Sequence, residues 1–223
     1  MRRYNTTTYS MDDRKLNLTR RHFVAAGSAL PIVAAATTGL FSASTAQAAE
    51  PALLETDHVL GDRNAPIVII EYASMTCPHC AHFHETAFPG LKENYFDTGK
   101  AALAFRHFPF DRYAFQASVM AECGGPEKFF AITDILFKRQ AEWTRAENIT
   151  EALIKIGKQS GISQKKFEAC LADEKLGESI LTQRLVGSTD YGVDSTPTLF
   201  IEGEKYEDER SFTALDEFLR SKM

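Results

Sequence analysis

The sequence predicts an α/β fold in which two strand-bearing halves close one sheet around an inserted helical subdomain. Three observations predict it. The β-branched run Ile67-Val68-Ile69-Ile70 is followed within a few residues by a helix opening at Cys77-Pro78. From about Asp111 to Tyr191 the pattern is helical. Strand character then returns at Thr198-Leu199-Phe200-Ile201 and Tyr206.

The elements follow in order. Residues 49–65 hold Leu60-Gly61-Asp62-Arg63-Asn64-Ala65-Pro66, which reads as a turn leading into a strand. That strand runs from Ile67 through Glu71-Tyr72-Ala73 and stops near Ser74; an unbroken β-branched run suits burial on both faces. A helix starts close to Cys77, because Pro78 fits a first turn, and Pro89-Gly90 kinks it. Lys100 to Phe108 reads as a second strand from its apolar and aromatic content.

In the helical stretch, Gly124-Gly125-Pro126 separates two helices, and Asn148 and Ser163 are placed as N-caps. The last helix there spans roughly Asp173 to Tyr191. Thr198 to Tyr206 forms a hairpin turning at Gly203, and Ser211 caps a closing helix with Phe212, Leu215, Phe218 and Leu219 on one face. The order strand, helix, strand, helical block, hairpin, helix is the thioredoxin-like order with an insertion. Its bounds are 49–110 and 192–223 for the thioredoxin-like domain and 111–191 for the helical insertion.

Residues 1–48 are expected to be an export signal. A basic stretch ends in Thr19-Arg20-Arg21, residues 22–48 hold no Asp, Glu, Lys or Arg, and Ala46-Gln47-Ala48 is a small-x-small cleavage pattern. Thr19-Arg20-Arg21-His22-Phe23-Val24 resembles the twin-arginine motif; an ordinary secretory signal holding two arginines is the alternative. The mild apolar region, broken by Pro31, Thr37 and Ser42, argues against a permanent membrane span. Export places the mature chain in an oxidising compartment, the periplasm, where disulfides persist.

Charge excludes some partners. The chain carries a formal −5, and six of its Lys/Arg against two Asp/Glu lie in residues 1–48, so the mature part is more acidic still. Nucleic acid and anionic membrane surfaces are poor partners for it. Four cysteines, all in the mature part, are too few for a disulfide scaffold, so at least one pair is expected to do chemistry.

Cys77-Pro78-His79-Cys80 is the candidate redox centre. Residues three apart on the first turn of a helix bring two sulfurs within bonding reach. At the helix N-terminus, unpaired N–H groups and the dipole favour the Cys77 thiolate. His79 is expected to add positive charge or a hydrogen bond to the sulfur, and Pro78 stiffens the turn without leaving an N–H unpaired. A stabilised thiolate stabilises the reduced form and makes the disulfide oxidising. Cys80, one turn in, is expected to be the buried resolving thiol.

Cys77, Cys80, His82 and His84 also lie within eight residues, and all are metal-ligand types. A metal-binding or metal-delivery protein is therefore the competing reading. Against it, His82 lies about 200° from Cys80 around a helix of roughly 3.6 residues per turn, so a closed tetrahedral site needs unwinding. His82 and His84 read instead as a solvated or cleft-lining pair. No cofactor is expected.

Three further positions matter. Thr196-Pro197 precedes an apolar strand where a thioredoxin-like fold sets a cis proline against the dithiol. Pro197 would leave the Thr196 backbone free to pair with an extended substrate and would keep the two sulfurs from capturing metal. Glu71, near the end of its strand, either tunes Cys80 and relays its proton or is a surface carboxylate. Cys123 and Cys170 read as a structural disulfide closing a loop of about 47 residues, worth on the order of 4 kcal/mol. Two buried thiols, or a second redox pair, remain alternatives.

The run from Gly61 to Cys80, with Cys77-Pro78-His79-Cys80 at its end, resembles the DsbA-like family of exported disulfide oxidoreductases. Thr196-Pro197 resembles that family's cis-proline loop, and Glu71 matches its buried acidic position. The resemblance implies exchange through Cys77, resolution by Cys80, exported cysteine-containing proteins as substrates, and reoxidation by a DsbB-type quinone-linked membrane oxidase. A cysteine pair like Cys123 and Cys170 recurs in some bacterial members. The best-known oxidases carry Val where this chain has Thr196, a residue that the related isomerases share. Those isomerases add an N-terminal dimerisation domain, and the about seventeen residues between Ala48 and Pro66 are too few for one. The expectation is a monomeric oxidase, with an isomerase or reductase kept reduced by a membrane donor as the alternative.

Overall fold

A computed structural model describes residues 49–223; the expected export signal, 1–48, lies outside the described residues. Five strands, β1 (His58–Leu60), β2 (Ile67–Ala73), β3 (Ala101–His107), β4 (Thr198–Ile201) and β5 (Glu204–Tyr206), form one sheet in the order β1-β3-β2-β4-β5. β2 runs parallel to β3, Ile67 opposite Ala101 and Ala73 opposite His107. The other three pairings are antiparallel. β2 is thus central and covered on both faces, which its β-branched run requires.

The period of two along β2 divides the core. Ile67 and Ile69 pack with Leu103, Leu199 and Ile201 on one face; Ile70 and Tyr72 pack with Ala104 and Phe200 on the other. A parallel β2–β3 pair needs a crossover, supplied by α1 (Pro78–Thr86), α2 (Phe88–Leu91) and a π-turn at Lys92–Phe96. The break falls at Ala87, just before the expected kink at Pro89-Gly90, with Pro89 in the first turn of α2.

Between β3 and β4 lie α3 (Arg112–Cys123), α4 (Pro126–Lys138), α5 (Gln140–Trp143), α6 (Ile149–Gln159), α7 (Gln164–Leu171) and α8 (Glu174–Thr189); α9 (Phe212–Lys222) closes the chain. Gly125, at φ 79°, makes the turn between α3 and α4, and Pro126 opens α4. Asn148, Ser163 and Ser211 accept N–H bonds from Glu151, Lys166 and Ala214, as expected of caps; Asp111 and Asp173 cap α3 and α8 in the same way. The hairpin turns at Glu202-Gly203, both at positive φ.

The helical block does not stand apart. Ala73, Met75, Cys77 and Cys80 share one hydrophobic cluster with Phe129, Leu136 and Trp143, so the block packs over the redox centre. Residues 49–223 lie within one compact unit. One strand was not in the sequence reading: β1 ends at Leu60, where the expected turn begins. It is a three-residue edge strand, too short to show a period of two.

Candidate active site

β2 ends at Ala73, and Ser74-Met75-Thr76 carries the chain to α1. Cys77 is the N-cap of α1, at φ −75° and ψ 119°, and Pro78 follows in the first turn. No side chain caps this end, so its N–H groups remain available to the sulfur. Two contacts hold the loop. The Gln140 side-chain amide donates to the carbonyls of both Met75 and Cys77, each at 2.9 Å. Thr76 Oγ1 donates to Asp111 at 2.7 Å.

The opposite wall is the Thr196–Pro197 loop, whose peptide bond is cis. The Cys77 thiol donates to the Thr196 carbonyl at 3.2 Å. The Thr196 hydroxyl is buried without a hydrogen-bond partner among the described residues, placed to donate to a thiolate.

The two free thiols are held unequal. Cys77 is 7% exposed and Cys80 is 0%. The Cys80 thiol donates to Cys77 and, against a partial burial cost, brings its pKa from 9.0 to about 5; the Thr196 hydroxyl and the backbone N–H groups of Cys80 and His79 assist. Cys80 is pushed well above 9.0, first by burial, then by the hydrogen bond and charge of Cys77, and then by the Glu71 carboxylate. His79 acts on the sulfur through its backbone N–H, since its ring is exposed and makes no hydrogen bond to Cys77. Of the two expected contributions, the hydrogen bond thus comes from the backbone; a residue two positions into the helix points its side chain outward while its N–H faces the N-cap.

Glu71 is a buried residue, 0% exposed, and the surface reading is overturned. Both its oxygens lie 3.0 Å from His84 Nε2. His84, read as solvated or cleft-lining beside His82, is buried between the rings of Phe88 and Phe137, with centroids at 4.5 and 4.3 Å. It lies four residues after Cys80 and shares its inward face, whereas His82 is exposed. Among the described residues no group of three or more His, Cys, Asp and Glu side chains is placed to hold a metal ion; His84 is turned to Glu71 instead. Gln140 is a site residue that the sequence did not single out, and His84, weighed there as a metal ligand and read as solvated or cleft-lining, was not placed beside Glu71. The i,i+4 spacing from Cys80 was a usable signal for His84; a lone Gln in a helical block gives none.

Cys123 and Cys170 are joined, Cα atoms 6.0 Å apart, tying α3 to α7 within the helical block.

The Thioredoxin family model matches residues 53–221. A Rickettsia bellii protein named "Putative protein-disulfide oxidoreductase" is 36% identical over 154 residues, covering 69% of this chain and 60% of that protein. The chain thus spans about three fifths of the length of the curated relatives it matches. The crystal structure of Wolbachia pipientis alpha-DsbA1 superposes with a TM-score of 0.71 at 31% identity, covering 76% of this chain and 92% of that one. BdbD from Bacillus subtilis, oxidised, shares the fold, with a TM-score of 0.70 at 19% identity over 78% of this chain and 96% of that one.

Proposed function

The chain belongs to the DsbA-like branch of the thioredoxin superfamily, and we propose that it is a thiol–disulfide oxidase that introduces disulfides into exported cysteine-containing proteins. The observation that carries this reading is the inequality of the two thiols: Cys77 held down at about 5 near the surface, Cys80 buried and pushed up.

The cycle starts from the Cys77–Cys80 disulfide. A substrate thiolate attacks Cys77 Sγ; the Cys77–Cys80 bond breaks, and Cys80 leaves as a thiolate that takes up a proton. The buried Glu71–His84 pair, whose carboxylate helps to raise the Cys80 pKa, moves that proton. A second substrate thiolate attacks the substrate sulfur of the mixed disulfide. The new bond is the substrate's disulfide, and Cys77 departs as a thiolate, a good leaving group at its depressed pKa. Two electrons pass from substrate to enzyme. Reoxidation falls to a quinone-linked membrane oxidase of the DsbB type.

On this reading residues 1–48 are removed on export to the periplasm. Residues 49–110 and 192–223 are the monomeric redox domain, and 111–191 the insertion covering its centre. No helix among the described residues is long and apolar enough to cross a membrane. Thr196 favours a second reading, an isomerase or reductase kept reduced by a membrane donor. Oxidation of a dithiol peptide by wild type and Cys77→Ser tests the first. Turnover is expected to vanish in the variant; oxidation at the wild-type rate would overturn it.

A further inference from the structure

Beside the dithiol lies a groove of about 480 Å³. Its walls are α1, through His79, His82 and Phe83; the loop Ser195–Pro197; and the segment Glu209–Ser211 that leads into α9. Thr196 belongs both to this groove and to the contact with Cys77. A segment held through its cysteine on Cys77 can therefore continue into it.

Arg210 is the one Lys or Arg on the lining of this groove. It forms no ion pair with Asp or Glu among the described residues. Its Nε is buried and has no hydrogen-bond partner there. Buried polar atoms in folded proteins are nearly always paired, because an unmet donor forfeits its hydration without return. The guanidinium offers its donors in a planar fork that matches a carboxylate. The other ionisable groups on the lining are His79, His82 and Glu209. The imidazoles are neutral or cationic. Glu209 is exposed, and only its backbone carbonyl is engaged, by the Tyr206 hydroxyl. The positive end of α9, which starts just beyond Ser211, has the same sign as Arg210. Glu207, Asp208 and Glu209 precede Arg210 in the chain, so the groove's one guanidinium sits among acidic neighbours.

We propose that Arg210 makes the groove a subsite for an acidic side chain, Asp or Glu, in the substrate segment flanking the reacting cysteine. This rests on the oxidoreductase reading and adds its substrate preference. A carboxylate in the groove can accept from the Arg210 guanidinium fork; a neutral amide of the same shape supplies only one oxygen and no charge.

The test uses the chain without residues 1–48 and dithiol peptides that differ only in Glu or Gln, placed in turn at each of three positions on either side of one cysteine. The readout is the ratio of kcat/KM for the Glu and Gln peptides. At low salt the ratio is expected to reach about fivefold at one position, the scale of a single partly desolvated charge pair. It should fall as salt rises, collapse to near one in Arg210→Gln, and persist in part in Arg210→Lys. A ratio of one at every position in wild type, or a preference that survives in Arg210→Gln, overturns the proposal. If no peptide is oxidised, the oxidase reading falls and the subsite is judged by calorimetry, with serine-substituted peptides titrated into Cys77→Ser. Tighter binding of the Glu peptide, lost with Arg210→Gln, then supports it; equal binding overturns it.

Discussion

Glu71 and His84 meet inside the protein, with His84 Nε2 at 3.0 Å from each carboxylate oxygen. One comes from the central strand and the other from the helix that carries both reactive cysteines, one turn beyond Cys80. Phe88 and Phe137 cover the two faces of the imidazole, so the pair is shielded from bulk water. Cys80 is 0% exposed, and in the proposed cycle this pair would carry the proton that the thiol gains and loses.

Glu71→Gln keeps an oxygen that can accept from His84 but removes the group proposed to take the proton. The steps that form or break the Cys80 bond are expected to slow by about ten- to a hundredfold, with little change in overall stability. Single-turnover kinetics across pH 6–8 check this. A merely structural carboxylate would move the rate and the stability together and leave the pH profile of the rate unaltered.

Alkylation of reduced protein should report Cys77 as a thiolate down to about pH 5. The linkage has a definite sign. Its folded pKa is depressed from 9.0 to about 5, so the stability it contributes is full above pH 9 and is lost as pH falls through about 5. At pH 7 this amounts to about 3 kcal/mol for the reduced protein. The reduced form should therefore melt above the oxidised form at pH 7, and the gap should narrow towards pH 5. A gap independent of pH contradicts the assignment.

Glu122 joins two histidines at a second, partly buried site. It accepts from His58 Nε2 at 2.8 Å and His107 Nε2 at 3.0 Å. Burial raises its pKa, but the two histidine hydrogen bonds outweigh it and bring the group from 4.5 to about 2. Its stabilisation is thus present above pH 4.5 and lost as pH falls through about 2. Glu122→Gln is expected to cost on the order of 3 kcal/mol at pH 7 and progressively less below pH 4. Urea midpoints at several pH values measure it.

Removing the Cys123–Cys170 bridge, which spans 47 residues of sequence, should cost about 4 kcal/mol by loop entropy. The double Ser variant should still oxidise dithiol peptides at close to the wild-type rate below its unfolding midpoint. If it lost oxidation while folded, the pair would be a second redox couple.

What the sequence showed were the features that local chemistry determines. The β-branched run Ile67–Ile70, the caps Asn148, Ser163 and Ser211, and Cys77 at the mouth of α1 each depend on a few neighbouring residues. The features it concealed depend on how distant elements meet. Whether Glu71 faced water or the core turned on the packing of β2 between β3 and β4. The inward turn of His84 required Phe137, brought from α4. The clamp of Gln140 on the active-site loop joins residues 63 and 65 apart, and β1 was too short for its period to show.

The central claim is that the site holds Cys77 as a thiolate and so makes its disulfide oxidising. The reduction potential of the Cys77–Cys80 couple, from equilibration in glutathione buffers, tests this most directly. A value near the oxidising extreme of thiol–disulfide proteins, about −120 mV, is predicted. A value near about −270 mV, where thioredoxin lies, would contradict it and put the reductase or isomerase reading first.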